Sequence, residues 1–428
     1  MSKAKRFLAL ALALCVTLSL GACTVVDSET PSPPTNEQTP PAPSDTQSPA
    51  APETSALSPE QQWAEDNGLN KTETRDELYE AAKKEGKVVV YSISSRMSKV
   101  EKSWVEDYPD VMLETYDIST NELLEKITRE YEAGIRTCDV VHMKEQTGAL
   151  YKDYLEPGIF HKYNPEDIFA NVDPAVLERY TPLYYELSWW FYNSAANSER
   201  PINSWWDLTK PEWKGRFIFT DPMGNQGYMA LLTAFVDNAD IMAEEYKKVF
   251  GEDIVLSDGC ENAGYEFIKR FSANDPVFES SSGKIVESVG TATGTTPPVG
   301  YAASSKIRER DEQGWPMEAI MDLAPTTGIY GLNTLNIVNE APHPNGAKLL
   351  IRYLVGEADG QGKGFVPFNT IGGWSLRPEV PLAEGNPPLS DIPVFENDFD
   401  FVYDNIQTVS DSGSPCSKQF IFSSSYLR

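Results

Sequence analysis

The pattern of apolar and polar residues changes twice near the start of the chain. An apolar run from Phe7 to Leu20 follows a basic N-terminus, and residues 24–58 then contain almost no large apolar side chains. From about residue 61, short β-branched runs alternate with segments whose apolar residues recur at helical spacing. The pattern therefore predicts a leader, a solvated tether and a globular region.

The globular region opens with predicted strands and helices in alternation. Residues 87–93 form a β-branched run, residues 111–116 alternate like a strand, and residues 139–143 form a third short apolar run. Helical spacing predicts one helix that ends near Trp104 and another over residues 119–133. This alternation is typical of a doubly wound parallel sheet, which indicates an α/β fold.

The middle of the chain begins a second α/β pattern. The aromatic run Glu186–Asn193 and the apolar run Tyr330–Val338 both have the length of a strand, and we interpret them as crossings between two lobes. The first predicted lobe is 59–188 plus 331–411, and the second is 189–330. Residues 412–428 lose amphipathic order and are predicted to form an irregular tail.

The N-terminus is typical of a bacterial secretion signal. Residues 1–22 combine a basic start with an apolar stretch shorter than the ~20 residues of a membrane span. The sequence Leu20-Gly-Ala-Cys23 resembles a lipobox, whose cysteine becomes the lipidated first residue of the mature protein. Residues 23–58 then form a Pro/Ser/Thr tether, so we expect a soluble domain held at the outer face of the cytoplasmic membrane, or in the periplasm. Ordinary secretion, with Cys23 incidental, is the alternative.

Composition excludes several classes of function. The chain has 36 Lys and Arg against 64 Asp and Glu, a net charge of −28, so nucleic acid is not an expected partner. Three histidines and the lack of a Cys-x-x-Cys pair give little basis for zinc or histidine chemistry. We therefore expect no enzyme, no catalytic residue, no cofactor and no structural metal.

Two cysteines of the globular region leave their pairing open. An oxidising exterior would allow a disulfide between Cys138 and Cys260. Cys138 begins a predicted strand, so a buried free thiol is the favoured interpretation.

Four loops are candidates for a ligand site because they follow predicted strands and precede helices. In open α/β sheets, ligands bind beyond the carboxyl ends of strands, where helix N-termini offer unpaired N–H groups and partial positive charge. The candidate residues in these loops are Ser94, Ser95, Thr147, Asp221, Asn225 and Ser282. Trp189 and Tyr330, in the two crossings, are candidate walls of the cleft. The alternatives are ordinary helix caps for the loops and core packing for the aromatics.

Several blocks occur together in a familiar order. They are Lys87–Ser95, Asp139–Val141, Phe191–Asn193, Pro201–Leu208, Pro211–Gly215, Thr220–Pro222 and His343–Leu354. With the lipobox and tether, they resemble extracellular solute-binding proteins of ABC importers, in the type II periplasmic-binding cluster with ferric-iron-, thiamine- and phosphorylated-compound-binding members. The resemblance covers roughly residues 75–410.

The resemblance implies a two-lobed α/β protein of the type II periplasmic-binding-protein fold. Such a protein captures a small molecule in its cleft and delivers it to a membrane permease; we also expect a monomer. Anionic solutes bearing phosphate, phosphonate or carboxylate lead, ferric iron or its complexes come second, and polyamines third. The tyrosine pair of ferric-binding members has only Tyr301 as its counterpart here, which argues against that ligand set. A role as a sensory lipoprotein or as a surface hydrolase is less favoured than import.

Overall fold

The computed structural model describes residues 57–396 and 398–411. All of these residues belong to one structural unit. The predicted signal, the lipobox Cys23 and the predicted tail 412–428 lie outside the described residues.

The first part of the chain alternates strands and helices, as the sequence predicted. The elements are α1 (Pro59–Asp66), α2 (Arg75–Glu85), β1 (Lys87–Ser92), α3 (Met97–Asp107), β2 (Met112–Asp117), α4 (Thr120–Glu132) and β3 (Val140–Glu145). A π-helical segment (Leu150–Leu155) leads to β4 (Phe160–His161), α5 (Glu166–Phe169), α6 (Pro174–Arg179) and β5 (Pro182–Glu186). Strand β1 pairs in parallel with β2 and β3, which confirms the predicted parallel pairing for these strands. The sheet as a whole is mixed, because β12 pairs antiparallel with β3 and β5.

The middle of the chain adds a second set of elements. These are β6 (Ser188–Asn193), β7 (Phe217–Thr220), α7 (Gln226–Asp237), α8 (Ala239–Phe250), α9 (Ala263–Ala273), β8 (Val277–Glu279), α10 (Ser282–Gly290), β9 (Val299–Ala303), α11 (Arg308–Gln313) and β10 (Met317–Ile320). The last part of the chain contains β11 (Gly328–Ile329), β12 (Gly331–Val338), α12 (Pro344–Val355), β13 (Gly373–Ser375), β14 (Val394–Phe395) and α13 (Phe399–Asp411).

The strands form two main sheets, which define two lobes. The first sheet has the order β13-β5-β12-β3-β1-β2, with β4 beside β12, and the second has the order β10-β6-β9-β7-β8. The chain passes from the first sheet to the second at Leu187, between β5 and β6. After β10 it forms β11, which pairs with β14 in a separate two-stranded sheet, and it rejoins the first sheet at β12, after Tyr330.

The first crossing corrects one detail of the sequence analysis. The run Glu186–Asn193 was expected to be one continuous strand, whereas the chain changes sheets at Leu187. Glu186 pairs with Gly331 in the first sheet, and Ser188 pairs with Ala303 in the second. The continuous apolar run does not indicate that the chain changes sheets, because the segments on both sides of Leu187 are buried in apolar cores.

Separate apolar cores stabilise the two lobes. Helix α12 is buried along its length against the first sheet, through residues such as Leu350 and Leu354. The second lobe is built on aromatic rings, with Trp205 fully buried and its ring centroid 5.0 Å from those of Phe235 and Tyr301. Large buried rings remove much apolar surface from water, so each lobe is a rigid support for its loops.

The last helix does not stay within the lobe to which the sequence assigned it. Residues 331–411 were expected to belong to the first lobe. In α13, Val402 and Val409 are buried in the core of the second lobe, where the helix packs against α7. The apolar spacing of α13 shows that one face is buried, but it does not show which lobe covers that face.

The two cysteines of the globular region do not pair with each other. Cys138 is a free thiol buried in the first lobe, and burial raises its pKa well above the ordinary value, so it stays protonated. Cys260 takes part in a disulfide. The favoured interpretation, a buried free thiol at Cys138, is therefore confirmed.

Candidate ligand-binding site

A cavity of about 710 Å³ lies between the two lobes, at the carboxyl ends of strands from both sheets. Its first wall consists of the loops that follow β1, β2 and β3, and its second wall of the loops that follow β7, β8 and β9. This is where open α/β sheets place ligands, and the volume is typical of small-molecule sites.

The cavity brings together six of the eight residues that the sequence singled out. They are Ser94, Ser95, Thr147, Asp221, Asn225 and Ser282. The two aromatic candidates do not line it, which corrects their expected placement. Trp189 is fully buried with its ring centroid 6.1 Å from that of Trp374, and the Tyr330 ring centroid lies 5.1 Å from that of Tyr185. Core packing, the alternative interpretation, describes both, because the crossings run behind the cavity.

Arg96 is the charged centre of the first wall, and the sequence analysis missed it. Its side chain is only 9% exposed, and Nη2 donates to Tyr184 Oη at 2.6 Å and to Glu186 Oε1 at 3.3 Å. Nε donates to Ser94 Oγ at 3.2 Å, whereas Nη1 has no hydrogen-bond partner among the described residues. Lys144 Nζ donates to the other Glu186 oxygen at 2.6 Å. Arg96, Lys144 and Glu186 are called the charge cluster below.

The charge cluster keeps a net positive charge. Burial favours a higher pKa for Glu186, but the charges of Lys144 and Arg96 outweigh burial and bring the pKa to about 2. Glu186 is therefore ionised at neutral pH, and its one negative charge faces two positive charges. The Arg96 guanidinium lines the cavity, and a guanidinium is suited to binding an anionic group.

The loop after β3 does not offer its N–H groups to a ligand, contrary to expectation. The Glu145 carboxylate accepts the N–H groups of Thr147 and Gly148, both at 2.8 Å. Gly148 has φ of +82°, which regular helix does not adopt, and the π-helical segment starts only at Leu150. Burial outweighs these hydrogen bonds and raises the pKa of Glu145.

The other predicted loops differ in whether a side chain caps the helix that follows. Asn225 Oδ1 accepts two N–H groups at the start of α7, at 3.1 and 3.3 Å, so it is an ordinary helix cap. Ser281 Oγ caps α10 by accepting the Lys284 N–H group at 3.3 Å. Helix α3, beside Arg96, begins without a side-chain cap in the described part of the chain. The N–H groups of its first turn are bonded instead to the backbone carbonyls of Ser94, Ser95 and Arg96.

The tyrosines near the cavity are not placed as metal ligands. Tyr184 accepts a hydrogen bond from Arg96, and burial raises its pKa, so it stays a neutral phenol. Tyr301 donates to the Thr327 carbonyl at 3.0 Å inside the second core. Among residues 57–396 and 398–411, no three His, Cys, Asp or Glu side chains are grouped to hold a metal ion.

A family model for bacterial extracellular solute-binding proteins matches residues 103–393. The chain belongs to this family. The family resemblance noted in the sequence is thereby confirmed. No curated protein sequence matches the chain.

Solved structures with the same fold include three binding proteins. Iron-bound HitA from Pseudomonas aeruginosa is 12% identical with a TM-score of 0.56, and covers 79% of this chain and 98% of its own. AfuA from Actinobacillus pleuropneumoniae, with exogenous fructose-6-phosphate bound, is 15% identical with a TM-score of 0.57 and the same coverages. MotA from A. tumefaciens B6, in complex with glucopine, is 10% identical with a TM-score of 0.54, and covers 79% of this chain and 99% of its own.

These matches confirm the two-lobed periplasmic-binding-protein fold. At such low identities they show the fold alone, and the three proteins bind chemically different ligands. The family itself establishes that this solute-binding protein captures its substrate rather than transforming it. It is the solute-binding component of an ABC transporter.

The low pKa of Glu186 predicts a pH-dependent contribution to stability. A carboxylate whose pKa falls from its ordinary 4.5 to about 2 on folding stabilises the fold fully above pH 4.5, and this contribution is lost as the pH falls towards 2. Urea denaturation should therefore show that Glu186→Gln lowers the free energy of unfolding most near neutral pH. The difference from the native protein should shrink below about pH 4.5.

Glu132→Gln is the matched control, since Glu132 is an exposed carboxylate on α4. Its stability difference from the native protein should stay near zero throughout. A constant difference for Glu186→Gln between about pH 6 and pH 3 would contradict the assigned role of the charge cluster.

Proposed function

We propose that this protein is a monomeric, lipid-anchored receptor that captures an anionic solute between its lobes and delivers it to a membrane permease. The solute carries a phosphate, phosphonate or carboxylate group. The observation that carries the proposal is Arg96, which lines the cavity as part of the charge cluster, where two positive charges face one negative charge.

Hydrogen bonds within the first lobe orient the Arg96 side chain before a ligand binds. Tyr184, Glu186 and Ser94 fix three sides of the guanidinium, so little side-chain freedom remains to be lost on binding. Hydrogen bonds between ionised partners are shorter and stronger than neutral ones. The uncapped start of α3 adds partial positive charge at the same wall.

Contacts across the cleft support capture by closure of the lobes. Asn121 of the first wall donates to the Gly224 carbonyl of the second at 3.2 Å. A Cβ atom at Gly227 would overlap the Gln146 side chain, so the backbone there approaches the opposite wall closely. A solute that touches both walls favours the closed arrangement by its differential affinity, with movement at the crossings.

Ferric iron is the weaker alternative. Iron-bound HitA shares the fold, but a ferric site needs ionised phenolates or other hard donors grouped together. Tyr184 is a neutral acceptor for Arg96, and Tyr301 is committed to the core. The positive charge cluster would also repel a metal cation. A sensory role would use the same anion site without a permease.

The location proposed for the protein is the outer face of the cytoplasmic membrane. Members of the family are extracellular. Within the described part of the chain, no helix has the length and apolar character to cross a membrane. We assign the anchor to lipid on Cys23 from the lipobox-like sequence Leu20-Gly-Ala-Cys23, with residues 24–58 as the spacer.

A thermal-shift screen of the mature chain tests the nature of the ligand. Phosphate esters, phosphonates and carboxylates should raise the melting temperature, whereas polyamines and ferric complexes should not. A ligand at 100 times its Kd stabilises the folded state by about 2.7 kcal/mol. For an anion found in this way, calorimetry should show that Arg96→Gln weakens binding by about 10- to 100-fold, because hydrogen bonds to charged groups contribute ~1.5–3 kcal/mol.

Arg129→Gln is the matched control, because Arg129 is exposed on α4 and lies outside the cavity lining. It should leave the affinity unchanged. Equal affinities for Arg96→Gln and the native protein, or stabilisation by ferric complexes alone, would overturn the anionic proposal.

The anchor predicts a change of location for Cys23→Ser. Without the sulfur that carries the lipid, the protein should appear in the medium or the soluble extracellular fraction, whereas the native protein should sediment with membranes. Cell fractionation and mass spectrometry of the mature N-terminus measure both properties. A Cys15→Ser variant should stay with the membranes. Membrane association of unlipidated Cys23→Ser would contradict the anchor.

A further inference from the structure

The basic and the acidic side chains that line the cavity lie at different distances from the two crossings. On the positive side, Arg96 reaches back to Glu186 on the crossing strand β5, and Lys144 lies on β3, next to β12. Lys306 follows β9, which pairs with the crossing strand β6. The basic groups therefore lie towards the inner end of the cavity.

The available carboxylates lie at the opposite, outer end. Asp117 ends β2, the outermost strand of the first sheet, and Glu279 ends β8, the outermost strand of the second. Both residues line the cavity, and neither forms an ion pair with any described residue. Asp221, which follows the neighbouring strand β7, also lines this end. Asp117 and Glu279 are called the outer carboxylates below.

Two carboxylates, Glu186 and Glu145, also lie at the inner end of the cavity, but they do not neutralise its positive charge. Glu186 is ion-paired with Arg96 and Lys144, and Glu145 accepts two backbone N–H groups. Arg96 and Lys144, which share the single charge of Glu186, therefore mark a positive inner end, and the outer carboxylates mark a negative outer end. The volume of about 710 Å³ has room for a solute that extends from one end to the other.

We infer that the solute is dipolar: its anionic group binds at Arg96, and an ammonium group at its other end faces the outer carboxylates. This inference rests on the proposed function, because it takes the anion site as given. It narrows the ligand class to amino-bearing phosphates, phosphonates or carboxylates. Opposite charges within a few ångströms near a protein surface attract strongly enough for a preference on the order of 10-fold.

Two matched pairs of probes test the inference by calorimetry on the mature chain. They are glucosamine 6-phosphate with glucose 6-phosphate, and 2-aminoethylphosphonate with ethylphosphonate. The amino-bearing member of at least one pair should bind on the order of 10-fold more tightly, since only it presents an ammonium group. In the double variant Asp117→Asn, Glu279→Gln, the ratio of the two affinities should fall to about one.

The outcomes separate this inference from the proposed function. Glu244→Gln, at an exposed carboxylate outside the cavity lining, should keep the native ratio. Binding of anions with a ratio near one in the native protein would overturn the dipolar inference and leave the anion site standing. Failure of all four probes to bind at millimolar concentration would count against both.

A different observation concerns helix α13, which connects the two lobes. Its buried residues Val402 and Val409 belong to the core of the second lobe. From the same helix, Tyr403 Oη donates to Asp153 Oδ1 at 2.7 Å on the π-helical segment of the first lobe. Asp400 of α13 also pairs with the first lobe, at 3.1 Å from Arg179 and 3.5 Å from Lys152.

The geometry points to α13 as a strap that favours the closed arrangement of the lobes. Its apolar face fixes it to the second lobe, and its polar contacts must break or stretch when the first lobe moves away. Exposed pairs of this kind are individually weak, so the strap biases an equilibrium rather than locking it. This inference holds whatever the solute is.

Distances between spin labels on the two lobes test the strap without a ligand. Labels at the exposed positions Lys102 and Lys247 report the separation of the lobes. The double variant Asp400→Asn, Tyr403→Phe should broaden the distance distribution and shift it to longer values. Gln407→Ala, at an exposed position of the same helix, should leave it unchanged. An unchanged distribution in the double variant, with its melting temperature retained, would overturn the strap.

Discussion

The structure depends on how three charged side chains are held at the point where the chain leaves its first sheet. Glu186 ends β5, immediately before the crossing at Leu187, and binds Arg96 and Lys144 at the same time. One buried carboxylate thus connects the loop after β1, the strand β3 and the crossing. Because two positive charges face one negative charge, the group leaves a positive charge at the cavity wall.

This arrangement relates binding to movement of the lobes. Arg96 is rigid because its partners lie in the first lobe, while the second wall approaches from across the cleft through residues such as Gly224. In the proposed function, a solute held at Arg96 gains its remaining contacts only when the second wall is near. The aromatic core around Trp205 keeps that wall rigid, so movement is concentrated at the crossings.

Local sequence signals predicted well those elements whose structure depends mainly on their own residues. The β-branched runs became β1 and β3, and the amphipathic spacing of residues 119–133 became α4. The loops after strands predicted six residues of the cavity, because the position of a ligand site follows from the topology of open sheets. The aromatic candidates failed, because burial and cleft exposure give the same apolar pattern.

The sequence by itself determined the two α/β patterns and the likeness to solute-binding proteins, and it predicts a secretion signal, since each depends on neighbouring residues or on the order of short blocks. Only the tertiary structure decided which charge faces the cavity. In the sequence, Arg96 resembles any other basic residue. In the structure, Tyr184 and Glu186, which are distant in sequence, hold its guanidinium in place. Glu145 takes the N–H groups that seemed free for an anion, and α13 joins the second lobe. Such pairings depend on distances through space, which periodicity and spacing along the chain do not encode.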